Sequence, residues 1–202
     1  KNNQDMLKKE KVIYNYIDKE RIFEKSKEQC ELNKRFLNNK IIVTVARLVP
    51  QKAIDRLAKV HKKLIDEGIN NTIYVIGDGP EKERLRKLIK DLKIEDTFKL
   101  LGKKENPYPY MIGADYFALL TYFEGYPMAV EEAKILNKKI IITDTAAKEV
   151  VKDYDRSKIL KNDEESIYEG LKDILQEKSK FSDDEKKEYD NSYLLNEIKA
   201  LF

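Results

Sequence analysis

Two carboxylates, Glu124 and Glu132, stand with seven residues between them in the run Phe123-Glu124-Gly125-Tyr126-Pro127-Met128-Ala129-Val130-Glu131-Glu132-Ala133. Carboxylates accept hydrogen bonds from hydroxyl groups, so such a pair suits a ligand rich in hydroxyls. Between them, Pro127 fits the first turn of a helix. Gly125 and the N–H groups near Met128 and Ala129 then make a potential anion site, because a helix's first N–H groups have no partners within it. A second run, Arg47-Leu48-Val49-Pro50-Gln51-Lys52, sets two cations around a short turn and a helix start. That is a setting for a diphosphate. Taken alone, Arg47 and Lys52 also read as ordinary surface charges in a chain with 40 Lys and Arg. A third run, Gly77-Asp78-Gly79-Pro80, lets the backbone turn sharply or pass close to a ligand. It is not a full G-x-G-x-x-G fingerprint. Hydroxyl acceptors together with phosphate partners are what a nucleotide sugar needs.

These runs follow elements that the residue pattern predicts. Ile41–Ala46, Thr72–Ile76, Phe98–Gly102, Tyr116–Leu120 and Lys139–Thr143 are short apolar, β-branched runs and read as buried strands. Helical spacing of Ile54, Leu57, Ala58, His61, Leu64 and Ile65 predicts a helix from about Lys52 to Gly68. Leu85, Leu88, Ile89 and Leu92 predict the next, and Pro127 to Leu136 a third. The alternation predicts an α/β fold, a Rossmann-like open parallel sheet flanked by helices on both faces. Ligands of such sheets bind at the strands' C-terminal ends, where all three runs fall. The organisation read from the chain is a charged N-terminal flank over 1–40, a nucleotide-sugar-binding domain over 41–178, and a helical extension over 179–202. Two helices are expected after residue 160, from Glu164 to Gln176 and from Asp183 to Phe202.

The Glu-x7-Glu pair within Phe-Glu-Gly-Tyr-Pro…Glu-Ala resembles the signature of family 4 glycosyltransferases, which have the two-domain GT-B architecture. Ala46-Arg47-Leu48…Gln51-Lys52 is similar to that family's Gly-Arg-Leu…Lys-Gly segment. Gly77–Pro80, Leu100-Leu101-Gly102, Ala114-Asp115 and Thr143–Ala147 follow in the family's order, and Val12-Ile13-Tyr14-Asn15…Asp18 looks like its connection into the second domain. The resemblance spans about residues 11 to 176. It implies a donor-binding domain that uses a UDP-, GDP- or ADP-sugar with retention of anomeric configuration, without a metal or other cofactor. Arg47 and Lys52 would neutralise the diphosphate and the charge that grows on it. Glu124 would bind the transferred sugar, Glu132 the ribose, and the backbone of Gly125, Tyr126, Pro127, Met128 and Ala129 the sugar and phosphates. Gly77 and Gly79 would border the donor, and Gly102 to Lys104, Lys103 included, would hold the base. Both glutamates are then binding groups, not a glycosidase acid–nucleophile pair. The implied partners are an N-terminal acceptor domain and a glycan or lipid-linked acceptor in cell-surface polysaccharide or capsule synthesis. The implied location is cytoplasmic, peripheral to the membrane face. Without the acceptor domain the chain is expected to be inactive. Ala53 stands where the family often has glycine; alanine adopts helical dihedrals, so little harm is expected. Ala146-Ala147 likewise replaces a glycine pair.

The remaining composition narrows the alternatives. Charged residues make up 38% of the chain, but the net charge is only +3, which argues against a nucleic-acid binder. The single Cys30, set among charged residues, reads as a bystander thiol. His61, the one histidine, falls on an inward helix face and reads as packed rather than chemical. Asp153-Tyr154-Asp155 reads as a solvated turn, and no cluster has metal-ligand spacing. Tyr108 and Tyr110 sit in a proline-rich stretch read as a loop able to close on the nucleotide. A non-catalytic nucleotide or nucleotide-sugar binding module and a GT-B nucleotide-sugar epimerase are the competing functions. The Glu-x7-Glu frame argues against the epimerase.

Overall fold

A computed structural model describes residues 17–32, 39–179 and 181. The expected connection at Val12 to Asn15 and the expected final helix from Asp183 lie outside the described residues.

Six parallel strands form one sheet: β1 (Lys40–Val45), β2 (Asn71–Ile76), β3 (Phe98–Gly102), β4 (Tyr116–Leu119), β5 (Lys139–Thr143) and β6 (Ser157–Leu160). Their order is β3-β2-β1-β4-β5-β6. The helices are α1 (Lys19–Ser26), α2 (Ile54–Asp66), α3 (Lys82–Asp91), α4 (Tyr108–Gly113), α5 (Met128–Ile135) and α6 (Glu164–Leu175). Alternate strand residues face opposite ways, and both directions are apolar. Ile42 and Ile73 join Leu57, Leu64, Leu85 and Leu171 of α2, α3 and α6. Ile41 and Val43 join Ile22, Met111, Val130 and Ala133 of α1, α4 and α5. That double burial is why the strands read as continuous apolar runs instead of alternating ones.

The strand order reverses direction at β1, so β1 and β4 are adjacent although β2 and β3 intervene in sequence. Their ladder is short, Ile42 with Tyr116 and Val43 with Phe117. Asp115 extends it: its Oδ2 accepts from Ile41 N at 2.7 Å, and its own N donates to Ile41 O at 2.9 Å. Beyond this seam the connections from β1 and β4 leave on opposite faces of the sheet and open a crevice.

Three elements were not expected. α1 lies in the charged N-terminal flank, capped by Asp18, whose carboxylate accepts from Arg21 N at 2.9 Å. α4 occupies the Tyr108–Tyr110 stretch, so that stretch is not a closing loop. Pro107 takes its N-cap and Pro109 falls in its first turn, where their missing N–H groups cost nothing, and Tyr110 is buried. β6 carries only two apolar residues and pairs on one side alone, which leaves it without an apolar pattern to detect.

His61 is fully buried on α2, as its position in the apolar stripe predicts. Asn71 donates its amide to Ile69 O, so its oxygen accepts from His61 Nδ1–H at 2.9 Å. Thr97 Oγ1 lies 2.9 Å from Nε2 and supplies the other proton. Burial disfavours the imidazolium and holds the pKa down at about 4, against 6.5 when exposed; the Asn71 bond opposes this only in part. The ring's contribution to stability is therefore complete above pH 6.5 and is lost as pH falls toward 4. Between pH 7 and pH 5 the loss from this one group is expected to be about 2 kcal/mol. A His61→Gln chain, compared by urea denaturation at the two pH values, should lose less than wild type.

Candidate functional site

The loops after β1, β2 and β3 are joined by backbone hydrogen bonds that continue the sheet past its strands. Ala46 N donates to Ile76 O at 3.0 Å, Leu48 N to Asp78 O at 3.0 Å, and Gly77 N to Gly102 O at 2.9 Å. Arg47 sits between two anchored residues, Ala46 and Leu48, and its side chain is exposed. A cleft of about 410 Å³ opens here, lined by Val45, Ala46, Arg47, Gly77, Lys103 and Pro107. Gly102, at φ 71, has open space where a side chain would be.

Gly77 and Gly79 owe their glycine to this packing. A Cβ on Gly77, at φ 150, would overlap the carbonyl oxygen of Ala46, and one on Gly79 would overlap that of Leu48. The loops thus require glycine for backbone-to-backbone approach whether or not a ligand borders them. Gly125 differs, since a Cβ there would meet nothing.

After Arg47 the chain makes a 3-10 turn, Pro50–Lys52, and then Ala53 at φ 49, ψ 36. This is left-handed backbone, so the helical dihedrals expected of Ala53 are not those it adopts. A glycine would fit without penalty, and alanine here costs about 1 kcal/mol. The turn aims Lys52 back at the crevice, where its Nζ pairs with the Glu124 carboxylate. Their side chains are 18% and 12% exposed, so the pair is shielded from water but open on one side. Glu124 Oε1 also accepts from Gly125 N at 3.3 Å. Gln51, to which motif spacing assigns no role, holds the same loop: its Nε2 donates to Phe123 O at 3.1 Å, and its main-chain carbonyl accepts from Tyr122 N at 3.0 Å.

Pro127 takes the N-cap of α5, one residue earlier than expected, and Met128 and Ala129 supply that helix's first N–H groups. Glu132 is half-buried one turn further on. Burial raises its pKa, while the bond from Tyr108 lowers it. Tyr108 OH donates to Glu132 Oε1 at 3.1 Å, and burial beside this carboxylate pushes the phenol up to about 12. Tyr108 on α4 is thus tied to the glutamate that motif spacing singled out. Its neighbour Glu131 is buried instead, accepting from Tyr126 OH at 2.5 Å and pairing with Lys134 at 3.2 Å. Tyr126 therefore supports α5 through its side chain.

One edge of the sheet thus brings together Arg47, the Lys52–Glu124 pair, the start of α5, and Glu132 with Tyr108. The cations and N–H groups suit phosphate oxygens, the carboxylates suit hydroxyls, and the cleft beside Lys103 is wide enough for a ring system. Among the described residues no His, Cys, Asp and Glu group is placed to hold a metal ion, and no helix is long and apolar enough to cross a membrane. Asp153 and Asp155 are exposed in a turn, as expected, and Tyr154 OH donates to Lys138 O at 2.7 Å. A larger cavity, about 530 Å³, lies at the opposite edge of the sheet, where Lys40, Lys139 and Arg156 alternate with Asp115 and Glu177.

The family model for "Glycosyl transferases group 1" matches residues 25–191. The chain is 31% identical over 173 residues to N-acetylgalactosamine-N,N'-diacetylbacillosaminyl-diphospho-undecaprenol 4-alpha-N-acetylgalactosaminyltransferase of Campylobacter jejuni, covering 84% of this chain and 45% of that protein. It is 27% identical over 134 residues to poly(ribitol-phosphate) alpha-N-acetylglucosaminyltransferase of Staphylococcus aureus, covering 65% of this chain and 27% of that protein. The fold is similar to that of Anabaena HepE in complex with UDP, with a TM-score of 0.69 at 17% identity, covering 81% of this chain and 48% of that one. The chain thus spans less than half the length of these proteins.

Proposed function

The chain belongs to the glycosyl transferases group 1 family, and from that membership we propose that it is the donor-binding half of a retaining transferase. It would move a sugar from a nucleotide diphosphate to a glycan or lipid-linked acceptor. One observation carries this reading: the hydroxyl-binding and phosphate-binding groups converge on the crevice between β1 and β4. Arg47 and Lys52 neutralise the diphosphate, whose negative charge grows as the bond to the sugar breaks. The first N–H groups of α5 take the remaining phosphate oxygens. Glu132, fixed by Tyr108 through one oxygen, keeps the other for the ribose. Glu124 turns toward the sugar once Lys52 has a phosphate to bind. The cleft beside Lys103 receives the base. In this reading the two cations serve where a metal would otherwise be needed, and the leaving phosphate accepts the acceptor's proton on the face it departs from. The acceptor half is a separate domain. Relatives named for undecaprenol-linked and poly(ribitol-phosphate) acceptors support a cell-surface glycan and a place at the cytoplasmic membrane face.

Calorimetric titration of the chain with UDP, GDP and ADP, without metal, tests this. One nucleotide should bind, and Arg47→Ala and Glu132→Ala should each weaken it by about 1–3 kcal/mol. Equal affinity of wild type and both variants would remove these residues from the site. No binding of any nucleotide at millimolar concentration would remove the donor-half reading for this chain.

A further inference from the structure

The segment that carries Glu124 is held by its carbonyls. Five in succession accept from five different places: Leu120 O from Arg56 Nη2 at 2.9 Å, Thr121 O from Thr143 Oγ1 at 2.7 Å, Tyr122 O from Asn162 Nδ2 at 2.6 Å, Phe123 O from Gln51 Nε2 at 3.1 Å, and Glu124 O from Ala147 N at 3.1 Å. Two of the five bonds trace to one buried cation. Arg56, on the sheet-facing side of α2, is 5% exposed. Besides Leu120 O, its Nη2 donates to Asn162 Oδ1 at 2.9 Å, which orients the amide that in turn donates to Tyr122 O. Its guanidinium carbon lies 4.4 Å from the centre of the Tyr122 ring. Asn162 is itself fixed in the chain, next to Asp163, whose carboxylate caps α6 by accepting from Ser166 N at 2.7 Å.

Burying a guanidinium is costly unless its donors are used. Arg56 spends its planar fork on the main-chain carbonyls of Leu120 and Asn162 and on the Asn162 amide, leaves its buried Nε without a hydrogen-bond partner, and forms no ion pair among the described residues, although Asp55, Glu164 and Asp163 favour its charge from further off. No ion pair explains it; the geometry of the loop does.

We propose that Arg56 is a positioning residue of the donor site, which sets the Tyr122-Phe123-Glu124 segment through Leu120, Tyr122 and Asn162, and so places the Glu124 carboxylate for the transferred sugar. The inference rests on the donor-half reading above. It assigns Arg56 to the sugar and not to the nucleotide, because Arg47, Glu132 and the cleft beside Lys103 are held by other elements.

The test separates sugar from nucleotide. Wild type, Arg56→Met and Asn162→Asp are titrated with UDP, UDP-N-acetylgalactosamine and UDP-N-acetylglucosamine. Arg56→Met removes the fork at similar volume. Asn162→Asp keeps the acceptor for Arg56 but removes the donor to Tyr122 O, at an exposed position where folding is not at risk. In both variants the affinity for the better-bound sugar nucleotide, relative to UDP, should fall by about tenfold while UDP itself changes by less than about threefold. A merely structural arginine would lower both affinities together or neither, and either result overturns the proposal. So does a wild type that binds UDP but neither sugar nucleotide, since no sugar contact then exists to position. A wild type that binds none of UDP, GDP and ADP fails at the donor-half reading, before Arg56 enters, and one that binds GDP or ADP in place of UDP undergoes the same comparison with that nucleotide's sugars. If Arg56→Met does not fold, Asn162→Asp decides alone.

Discussion

A Lys52→Met chain is expected to bind UDP about 10- to 150-fold more weakly than wild type, and a Glu124→Gln chain to bind it a few-fold more tightly. The first figure is what losing a charge-assisted hydrogen bond to phosphate costs, about 1.5–3 kcal/mol. The opposite sign of the second follows from the ion pair. Without ligand, Lys52 is bound to Glu124 in surroundings that shield both. A diphosphate must draw the ammonium away from a carboxylate and then sit near that carboxylate's charge. Glutamine removes both obstacles while keeping the side chain's shape. The same substitution should erase any preference among sugars. Stability moves too, since each variant leaves one partner of a shielded pair alone, at a cost of about 1–3 kcal/mol. Calorimetry with UDP, beside thermal denaturation of the three chains, reads both effects. Should Glu124→Gln weaken UDP as much as Lys52→Met does, the pair would be a structural strut and not a contact exchanged on binding.

Gly77→Ala is expected to destabilise the fold by about 3–5 kcal/mol, comparable to the whole stability of many domains. Two costs add. At φ 150 an L side chain is strained. The new methyl would also overlap the Ala46 carbonyl, which is main chain and cannot rotate aside. Relief requires the loops after β1 and β2 to separate, breaking the bonds of Ala46 N to Ile76 O and Leu48 N to Asp78 O that set Arg47. Any folded fraction should therefore bind nucleotide poorly as well. Gly125→Ala is the control, because its methyl would enter open space. Urea denaturation of both variants checks the contrast; a Gly77→Ala chain as stable as Gly125→Ala would show that the loops part at little cost.

Most of the sheet was legible because its strands are buried on both faces. Runs such as Ile41-Ile42-Val43 and Ile140-Ile141-Ile142 have no other plausible environment. β6 was not legible, because an edge strand with a lysine and a serine among four residues makes the same demand on sequence as a surface loop. α4 was hidden by its prolines, which read as loop punctuation until their place in the first turn is known. Within the candidate site, Arg47, Lys52, Glu124 and Glu132 were singled out by motif spacing alone. The residues that hold those four were not. Tyr108 meets Glu132 across 24 positions, Gln51 meets Phe123 across 72, and Arg56 meets Asn162 across 106. Spacing along one chain cannot show such pairs, and Arg56 was further masked by lying outside the apolar stripe of Ile54, Leu57, Ala58, His61, Leu64 and Ile65. The dihedrals of Ala53 were misread for a related reason: the left-handed turn belongs to the meeting of a 3-10 turn with α2, not to alanine's own preference.

The seam between β1 and β4 also bears on how the sheet assembles. β1 can pair with β2 after a loop of modest length, but with β4 only after the intervening strands and helices have been placed, so closing the loop to Tyr116 costs more chain entropy. With only two residue pairs in its ladder, that junction is expected to close late, joining the sheet's two halves, β3-β2-β1 and β4-β5-β6. The crevice exists only once the halves have docked. A nucleotide seated in it would therefore slow unfolding by bridging the halves, while doing little to hasten the formation of either one.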